Sequence, residues 1–124
     1  MAIQSFKDLD VWQLSMNLAE ACYVATREFP KDELYGMTSQ IRRSAASIPA
    51  NIAEGYGRDQ TGGFIQFLRV AQGSARELET HLLLAERIKL LTSETALRLQ
   101  EDCERTSKML RSLIRSLEAR RDQT

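Results

Sequence analysis

The sequence is poor in the residues that build metal, redox or disulfide sites. It contains two cysteines and one histidine among 124 residues. Cys22 and Cys103 stand far apart, and neither has a histidine or another cysteine at the spacing of a zinc site or a Cys-x-x-Cys pair. Each is flanked by helix-forming residues. We therefore expect two free thiols that are buried as small apolar side chains.

Long apolar runs are also absent from the sequence. The longest aliphatic run, Leu82 to Ala85, is far shorter than the roughly 20 residues that cross a bilayer. The first six residues lead directly to Lys7 and Asp8, without the apolar stretch or the cleavage site of a secretory signal. We expect a cytoplasmic protein that does not enter a membrane.

Neither sign of charge is in excess. The 17 Lys and Arg residues balance the 17 Asp and Glu residues, so the formal net charge is zero. No overall field draws the molecule toward nucleic acid, an anionic membrane or an acidic substrate, and any electrostatic partner must be bound by a local patch. The length suits one domain, which we expect to span residues 1–124.

Strand signals are scarce, and helical periodicity takes their place. The two prolines and six glycines cluster at a few positions and divide the chain into four segments, in each of which apolar residues recur every three or four positions. The predicted helices span residues 8–28, 38–55, 61–90 and 93–120. Short connections force consecutive helices to be antiparallel, so the prediction is all-α, an up-down-up-down four-helix bundle. Pro49 lies inside the second helix, which we expect it to bend.

Local signals predict the helix caps and faces. Thr38 or Ser39 is expected to cap the second helix, and Thr92 begins an N-cap for the fourth. The predicted apolar face of the second helix follows Ile41, Ala45, Ile48 and Ile52. The first helix has a wide apolar face, which follows Leu9, Trp12, Met16, Ala19 and Tyr23 with Val11, Leu14, Leu18, Cys22 and Ala25 beside them. Ile88 is assigned to the inner side of the third helix.

More apolar residues are present than four narrow faces require. The residues that lie off the strict apolar stripes are Leu14, Val24, Leu83, Leu84 and Ile114. An exposed apolar strip on a small bundle usually becomes a contact between subunits. We therefore expect a homo-oligomer.

The residues do not assemble a known catalytic motif. A di-iron bundle needs two Glu-x-x-His motifs and two further glutamates, whereas His81 is the single histidine and Glu77 precedes it by four positions. Gly57 and Gly62 have the spacing of the P-loop glycines, but Gly63 and Phe64 stand where that loop needs Lys and Ser or Thr. There is no Gly-x-Ser-x-Gly elbow. We expect no enzymatic activity, metal, cofactor or small-molecule substrate.

A polar stripe runs beside the apolar face of the second predicted helix. Its members recur at three or four positions: Gln40, Arg43, Ser47, Asn51, Glu54 and Arg58. The third helix offers Ser74, Glu77 and His81 as partners. The stripe could form a ligand or catalytic pocket, or a hydrogen-bond network that fixes the register of the helices. We favour the structural network, in which Arg43 and Glu54 satisfy one another.

Positive charge is concentrated near the end of the fourth predicted helix. Residues 105–121 contain six cations and one anion, a local charge of +5. Lys108, Arg111 and Arg115 share a face, next to Arg105. This ridge could lie along the phosphates of nucleic acid. The other interpretation, a solvated face whose cations favour the C-terminus of the helix, stays open because no aromatic residue is interleaved with the cations.

Taken together, these residues resemble a known family. The matching residues are Asp10-Val11-Trp12, Phe29-Pro30, Glu33, Gln40, Arg42-Arg43, Ser47-Ile48-Pro49, Asn51 to Gly55, Arg58, Phe67-Leu68, Ala71, Gly73-Ser74 and Glu77-Leu78. They resemble the four-helix bundle proteins encoded by intervening sequences of bacterial 23S rRNA genes, to which the accessory variability proteins of diversity-generating retroelements look related. The resemblance covers about residues 6 to 118.

This resemblance implies a closed bundle with Pro49 inside the second helix, and assembly into a ring that is commonly a homopentamer. It implies no settled biochemical activity, although the retroelement relatives are thought to bind nucleic acid and a reverse transcriptase through a basic surface. Our first prediction is therefore a non-enzymatic oligomeric bundle whose Gln40, Arg43, Asn51, Glu54, Arg58, Ser74 and Glu77 form a structural network. The alternative is a nucleic-acid-binding accessory module that acts through Arg105, Lys108, Arg111 and Arg115.

Overall fold

The computed structural model of the protein describes residues 2–123, so Met1 and Thr124 of the predicted domain lie outside the described residues. Four α-helices run through Asp10–Thr26 (α1), Ser39–Tyr56 (α2), Thr61–Arg87 (α3) and Ser93–Asp122 (α4). No strand occurs within residues 2–123. The prediction of an all-α four-helix bundle is confirmed.

The helices form a ring around one apolar core. Helix α1 packs against α2 and α4, α2 packs against α3, and α3 packs against α4. The loops at residues 57–60 and 88–92 are too short to cross the bundle, so each joins two antiparallel neighbours. The interface between α2 and α3 is the most extensive, and it holds much of the predicted polar stripe.

Two helices are shorter than predicted, and α1 is one of them. It begins after Leu9, whose backbone is extended, because the preceding Phe6–Asp8 segment forms a separate 3₁₀ turn capped by the hydroxyl of Ser5. It ends at Thr26, two residues before the predicted end. Helix α4 is longer than predicted, because it continues to Asp122.

The third helix ends at Arg87, three residues before the predicted end. Lys89 has a φ of 68°, in the left-handed region. This conformation turns the chain back, so that the amides of Leu90 and Leu91 both donate to the carbonyl of Ala85 at 2.8 and 3.3 Å. Such a pairing satisfies the last carbonyls of a helix. Because the apolar residues after position 87 continue the helical spacing, the sequence pattern did not predict this turn.

The start of α2 corrects one predicted cap. Neither Thr38 nor Ser39 caps the helix through its side chain, because the π-helical turn Leu34–Thr38 leads directly into α2. The carboxylate of Glu33 instead accepts a hydrogen bond from the amide of Met37 at 3.1 Å. The backbone of Gly36, within this turn, departs from helical values. Pro49 is buried inside α2, and the bend at that residue stays a prediction.

The predicted face of α2 is confirmed, whereas the wide face predicted for α1 is buried only on one side. Ile41, Ala45, Ile48 and Ile52 are all fully buried. On α1 the buried positions are Val11, Ser15, Leu18, Ala19, Cys22 and Thr26, whereas the predicted Met16 and Tyr23 are exposed. The hydroxyls of Ser15 and Thr26 donate to carbonyls of their own helix at 2.9 and 2.8 Å, so each buried hydroxyl proton is bonded within α1.

Two further assignments of apolar residues were wrong. Ile88, which was assigned to the core, lies beyond the end of α3 and is 49% exposed. Ile114, which was assigned to the apolar surplus, is buried in the core next to Leu110 and Leu117. The remaining surplus residues Val24, Leu83 and Leu84 are exposed, and Leu14 is half-buried.

Candidate functional site

The polar stripe of α2 meets α3 at a pair of serines. The hydroxyls of Ser47 and Ser74 share a hydrogen bond of 2.8 Å. The side-chain amide of Asn51 donates to the carbonyl of Ser47 at 2.8 Å and to its hydroxyl at 3.0 Å. Ser74 is buried and the other two are half-buried, so the three residues form a satisfied polar cluster between the helices. The structure therefore brings together Asn51 and Ser74, through Ser47.

A second group lies one turn further along α2, at the surface. Arg58 donates to the carboxylate of Glu54 at 2.8 Å, and the guanidinium of Arg58 lies 4.6 Å from the ring centre of Phe67 on α3. Both charged side chains are about half exposed, so the ion pair by itself contributes little to stability. Arg43 does not satisfy Glu54 as we expected, because eleven residues of helix separate them by about 16 Å.

The other stripe residues surround a small depression at the opposite end of the interface. Gln40, Arg43 and Glu77 line a cavity of about 230 Å³ together with Ser44 and Ser47. Gln40, Arg43 and Glu77 are exposed. The predicted network is thus divided into three groups, of which only the Ser47 cluster is well buried. A stabilising role for these residues stays a prediction.

Arg42, a neighbour of the predicted Arg43, makes a polar contact between α2 and α1. Its Nε donates to the hydroxyl of Thr26 at 2.8 Å, and its guanidinium lies 4.7 Å from the ring centre of Tyr23. Sequence reasoning missed this residue because two adjacent arginines on a helix differ by about 100° in direction. The aromatic and hydroxyl residues at positions 23 and 26 were the available signal.

The two cysteines are buried and free, as predicted. Burial raises the pKa of the Cys22 thiol to about 12, and the neighbouring Cys103 and Asp102 add to this effect. Burial likewise raises the pKa of Cys103 to about 12, with Glu79 and Glu104 adding to the effect. The Cys103 thiol donates to the carbonyl of Ala75 at 3.3 Å. Both thiols are neutral near pH 7, whereas the nucleophile in cysteine chemistry is the thiolate.

The single histidine has one weak charged neighbour. His81 Nε2 lies 3.8 Å from the carboxylate of Glu77, and it is a buried nitrogen that makes no hydrogen bond with the described residues. Among residues 2–123, no group of three or more His, Cys, Asp or Glu side chains converges as a metal site would require.

The predicted basic ridge lies along an exposed side of α4. Lys108 and Arg115 are exposed and make no ion pair with the described part of the chain. Arg105 pairs loosely with Asp102 at 3.7 Å and remains 62% exposed. Arg111 is half-buried, because it lies on the side of the helix that faces α3. The four cations therefore form one continuous line along the helix, at spacings of three or four residues.

A cleft beside this ridge contains further arginines that the sequence analysis did not select. Arg69 and Arg76 of α3 and Arg111 of α4 line one cavity of about 330 Å³, together with Gln72, Gly73 and Ser107. Arg69 is held by an ion pair with Glu118 of α4, and Arg76 pairs with Glu79 at 3.4 Å. The available signal was the spacing of Arg69, Gly73 and Arg76, which places all three on one side of α3.

This bundle is similar to a solved structure of a somewhat shorter chain. A protein of unknown function from the S23 ribosomal protein family of Bacteroides thetaiotaomicron VPI-5482 is 30% identical in sequence, with a TM-score of 0.76. The similarity covers 84% of the present chain and 97% of that protein. The 23S rRNA-intervening sequence protein family matches residues 7–112. The chain belongs to this family.

Membership of the 23S rRNA-intervening sequence family confirms the resemblance but leaves the biochemical role unsettled, since the similar structure is itself described as of unknown function. The matched range includes Arg105, Lys108 and Arg111, whereas Arg115 lies beyond it. No curated protein shows significant similarity to the chain. Within the described residues, none of the helices is both long and apolar enough to cross a bilayer.

Proposed function

We propose that this member of the family is a non-enzymatic, homo-oligomeric protein that binds nucleic acid through the basic ridge of α4. One observation carries the proposal. Lys108, Arg111 and Arg115 follow one another along the same side of α4, and none of them is neutralised by a carboxylate of the described chain. A line of unpaired cations on a rigid helix can contact successive phosphates and release their counterions.

The chemistry of the remaining side chains supports a binding role over an enzymatic one. The thiols of Cys22 and Cys103 are kept neutral by burial, which raises the pKa of each to about 12. The depression around Arg43 and Glu77 is small, and these two side chains are exposed to water, where their charges are strongly screened. Two free buried thiols also suit the reducing cytoplasm, which we propose as the site of action.

Binding to RNA and its salt dependence test this role. We expect a short fluorescein-labelled single-stranded RNA to bind with an affinity that falls steeply between about 50 and 200 mM salt. Replacing Arg105, Lys108 and Arg115 together by alanine should reduce the slope of log K against log salt by about two, because each lost phosphate contact removes roughly 0.7. Fluorescence anisotropy at several salt concentrations measures both quantities, with duplex DNA as a second probe.

A matched variant controls for the loss of charge. Alanine at Lys7, Arg27 and Lys31 also removes three exposed cations, but these residues lie outside the ridge. This variant should bind RNA with nearly the slope of the parent chain. Equal losses in the two triple variants would show a non-specific charge effect, and absence of RNA binding at the lowest salt would refute the proposal.

The apolar surface supports the oligomeric part of the proposal. A groove of about 340 Å³ between α1 and α2 is lined only by apolar side chains: Trp12, Met16, Ala19, Ala46, Pro49, Ala50 and Ala53. Val24, Leu83 and Leu84 are each exposed by more than two fifths. Apolar surface of this kind on a small bundle is usually covered by another subunit. We propose that a second copy of the chain covers the groove, in a ring for which the family resemblance favours a homopentamer.

Light scattering tests this assembly. We expect multi-angle light scattering to give about five times the chain mass of 14.1 kDa. Ala50→Glu places a charge at the exposed edge of the groove and should shift the protein toward monomers, since burial of an unpaired charge is costly. Ala119→Glu adds the same charge at an exposed position of α4 and should leave the mass unchanged. A monomeric parent chain would contradict the proposal.

A further inference from the structure

The cleft between α3 and α4 has the chemistry of an anion site. It is lined by Arg69, Gln72, Gly73 and Arg76 of α3 and by Ser107 and Arg111 of α4. We propose that this cleft binds one phosphate group of the bound nucleic acid, so that the sugar-phosphate backbone lies in the cleft beside the ridge of α4. The identity of the ligand rests on the proposed function, whereas the phosphate site itself can be tested alone.

Three of the lining residues have donors that the described chain does not use. The side chains of Gln72, Ser107 and Arg111 make no hydrogen bond or ion pair with residues 2–123. Ser107 is only 8% exposed, yet it is one of the residues that line the cleft. Donors on a half-buried arginine and a buried serine gain more from an anionic partner than donors on exposed residues do, because water screens them less.

The two arginines of α3 flank these donors. Arg69 and Arg76 each contact one carboxylate through one nitrogen, and both remain more than half exposed. A guanidinium has five N–H donors, so each arginine retains several that can bind a further anion. Together with Arg111, they present positive charge from both walls of the cleft, which suits a tetrahedral phosphate.

Gly73 is the second, independent observation. It lies in the interior of α3, where glycine is less stable than alanine, and a Cβ built there meets no atom within 4 Å. No contact among the described residues therefore requires a glycine at this position. Gly73 follows Arg69 by four residues and precedes Arg76 by three, so the bare backbone lies between the two guanidinium groups. Glycine is used where a ligand must approach the backbone closely.

Equilibrium dialysis with radiolabelled inorganic phosphate tests the site directly. Against chloride at the same ionic strength, we expect saturable binding of one phosphate per chain. Arg111→Gln should weaken this binding by about tenfold, because it removes a charge-assisted donor. Gly73→Leu should abolish it by filling the cleft, while the melting temperature stays the same or rises, since leucine is the better helix former.

Gly62→Leu is the matched control for the leucine variant. Gly62 is an exposed glycine of the same helix, and a Cβ built there also meets nothing within 4 Å. The control should bind phosphate like the parent chain. If phosphate binding is not saturable, or if Gly73→Leu and Arg111→Gln retain it, the phosphate site is refuted.

Parallel RNA titrations separate this inference from the proposed function. If the cleft seats a backbone phosphate, Gly73→Leu and Arg111→Gln should weaken both phosphate and RNA binding. If RNA binds but inorganic phosphate does not, the cleft inference fails and the ridge alone carries the proposed function. If phosphate binds and RNA does not, the cleft is a site for small phosphorylated molecules, and the nucleic-acid proposal fails.

Discussion

Gly55→Ala is expected to lower the free energy of unfolding by about 2 kcal/mol. Gly55 is buried where α2 crosses α3, and a Cβ there would lie 2.7 Å from the Cβ of Phe67 and 3.2 Å from the carbonyl oxygen of Phe64. These atoms belong to the backbone or lie next to it, so relief of the clash requires the helices to separate. The helix preference of alanine offsets only about 1 kcal/mol of the cost. Urea denaturation at a fixed protein concentration measures the change.

Gly73→Ala is the control for this prediction, and it is expected to raise the free energy of unfolding. It makes the same replacement inside a neighbouring helix, but the new Cβ has no atom within 4 Å. The variant should be more stable than the parent chain by about 1 kcal/mol. Equal stability of the two variants would show that α2 and α3 are not in close contact at Gly55.

Alkaline pH is expected to destabilise the native protein through its two thiols. Burial raises the pKa of Cys22 and of Cys103 from 9.0 to about 12, so an unfolded chain loses these protons at lower pH than the native chain does. The stabilisation is therefore fully present below pH 9 and is lost as the pH rises from about 9 to 12. In that range each thiol lowers the free energy of unfolding by up to about 1.4 kcal/mol per pH unit.

The double variant Cys22→Ala, Cys103→Ala separates the thiols from the lysines and tyrosines that also titrate in this range. Its stability should depend less on pH above 9 than that of the parent chain, as measured by urea denaturation at several pH values. At pH 8 the native thiols should also react with iodoacetamide about a thousandfold more slowly than unfolded ones, because so little thiolate is present. Rapid labelling of the native chain would contradict the buried state.

The sequence predicted α2 well and α1 less well, for a physical reason. In α2, apolar and polar residues separate cleanly, so the buried face of Ile41, Ala45, Ile48 and Ile52 follows from periodicity alone. In α1, apolar residues surround much of the helix. Ser15 and Thr26 are buried there because their hydroxyls bond to carbonyls of their own helix, and this removes the polar signal on which the pattern depends.

The candidate site was predicted only in part, since it combines residues from two helices. The line of Arg105, Lys108, Arg111 and Arg115 could be identified because these residues are neighbours on one helix. The cleft could not, because Arg69 and Arg111 meet only through the packing of α3 on α4. The contact of Arg42 with α1 also depends on how two helices pack, and for this reason the sequence pointed to Arg43 for the network and not to Arg42.

The sequence by itself determined the four helices, the burial of both cysteines and the family to which the chain belongs. These features depend on the order and spacing of residues within a few helical turns. The tertiary structure alone decided which side of α1 faces the core, that Gly55 allows α2 to lie against Phe67, and that a cleft joins the arginines of α3 to the α4 ridge. Such contacts depend on the rotation and axial offset of one helix against another, which local spacing does not encode.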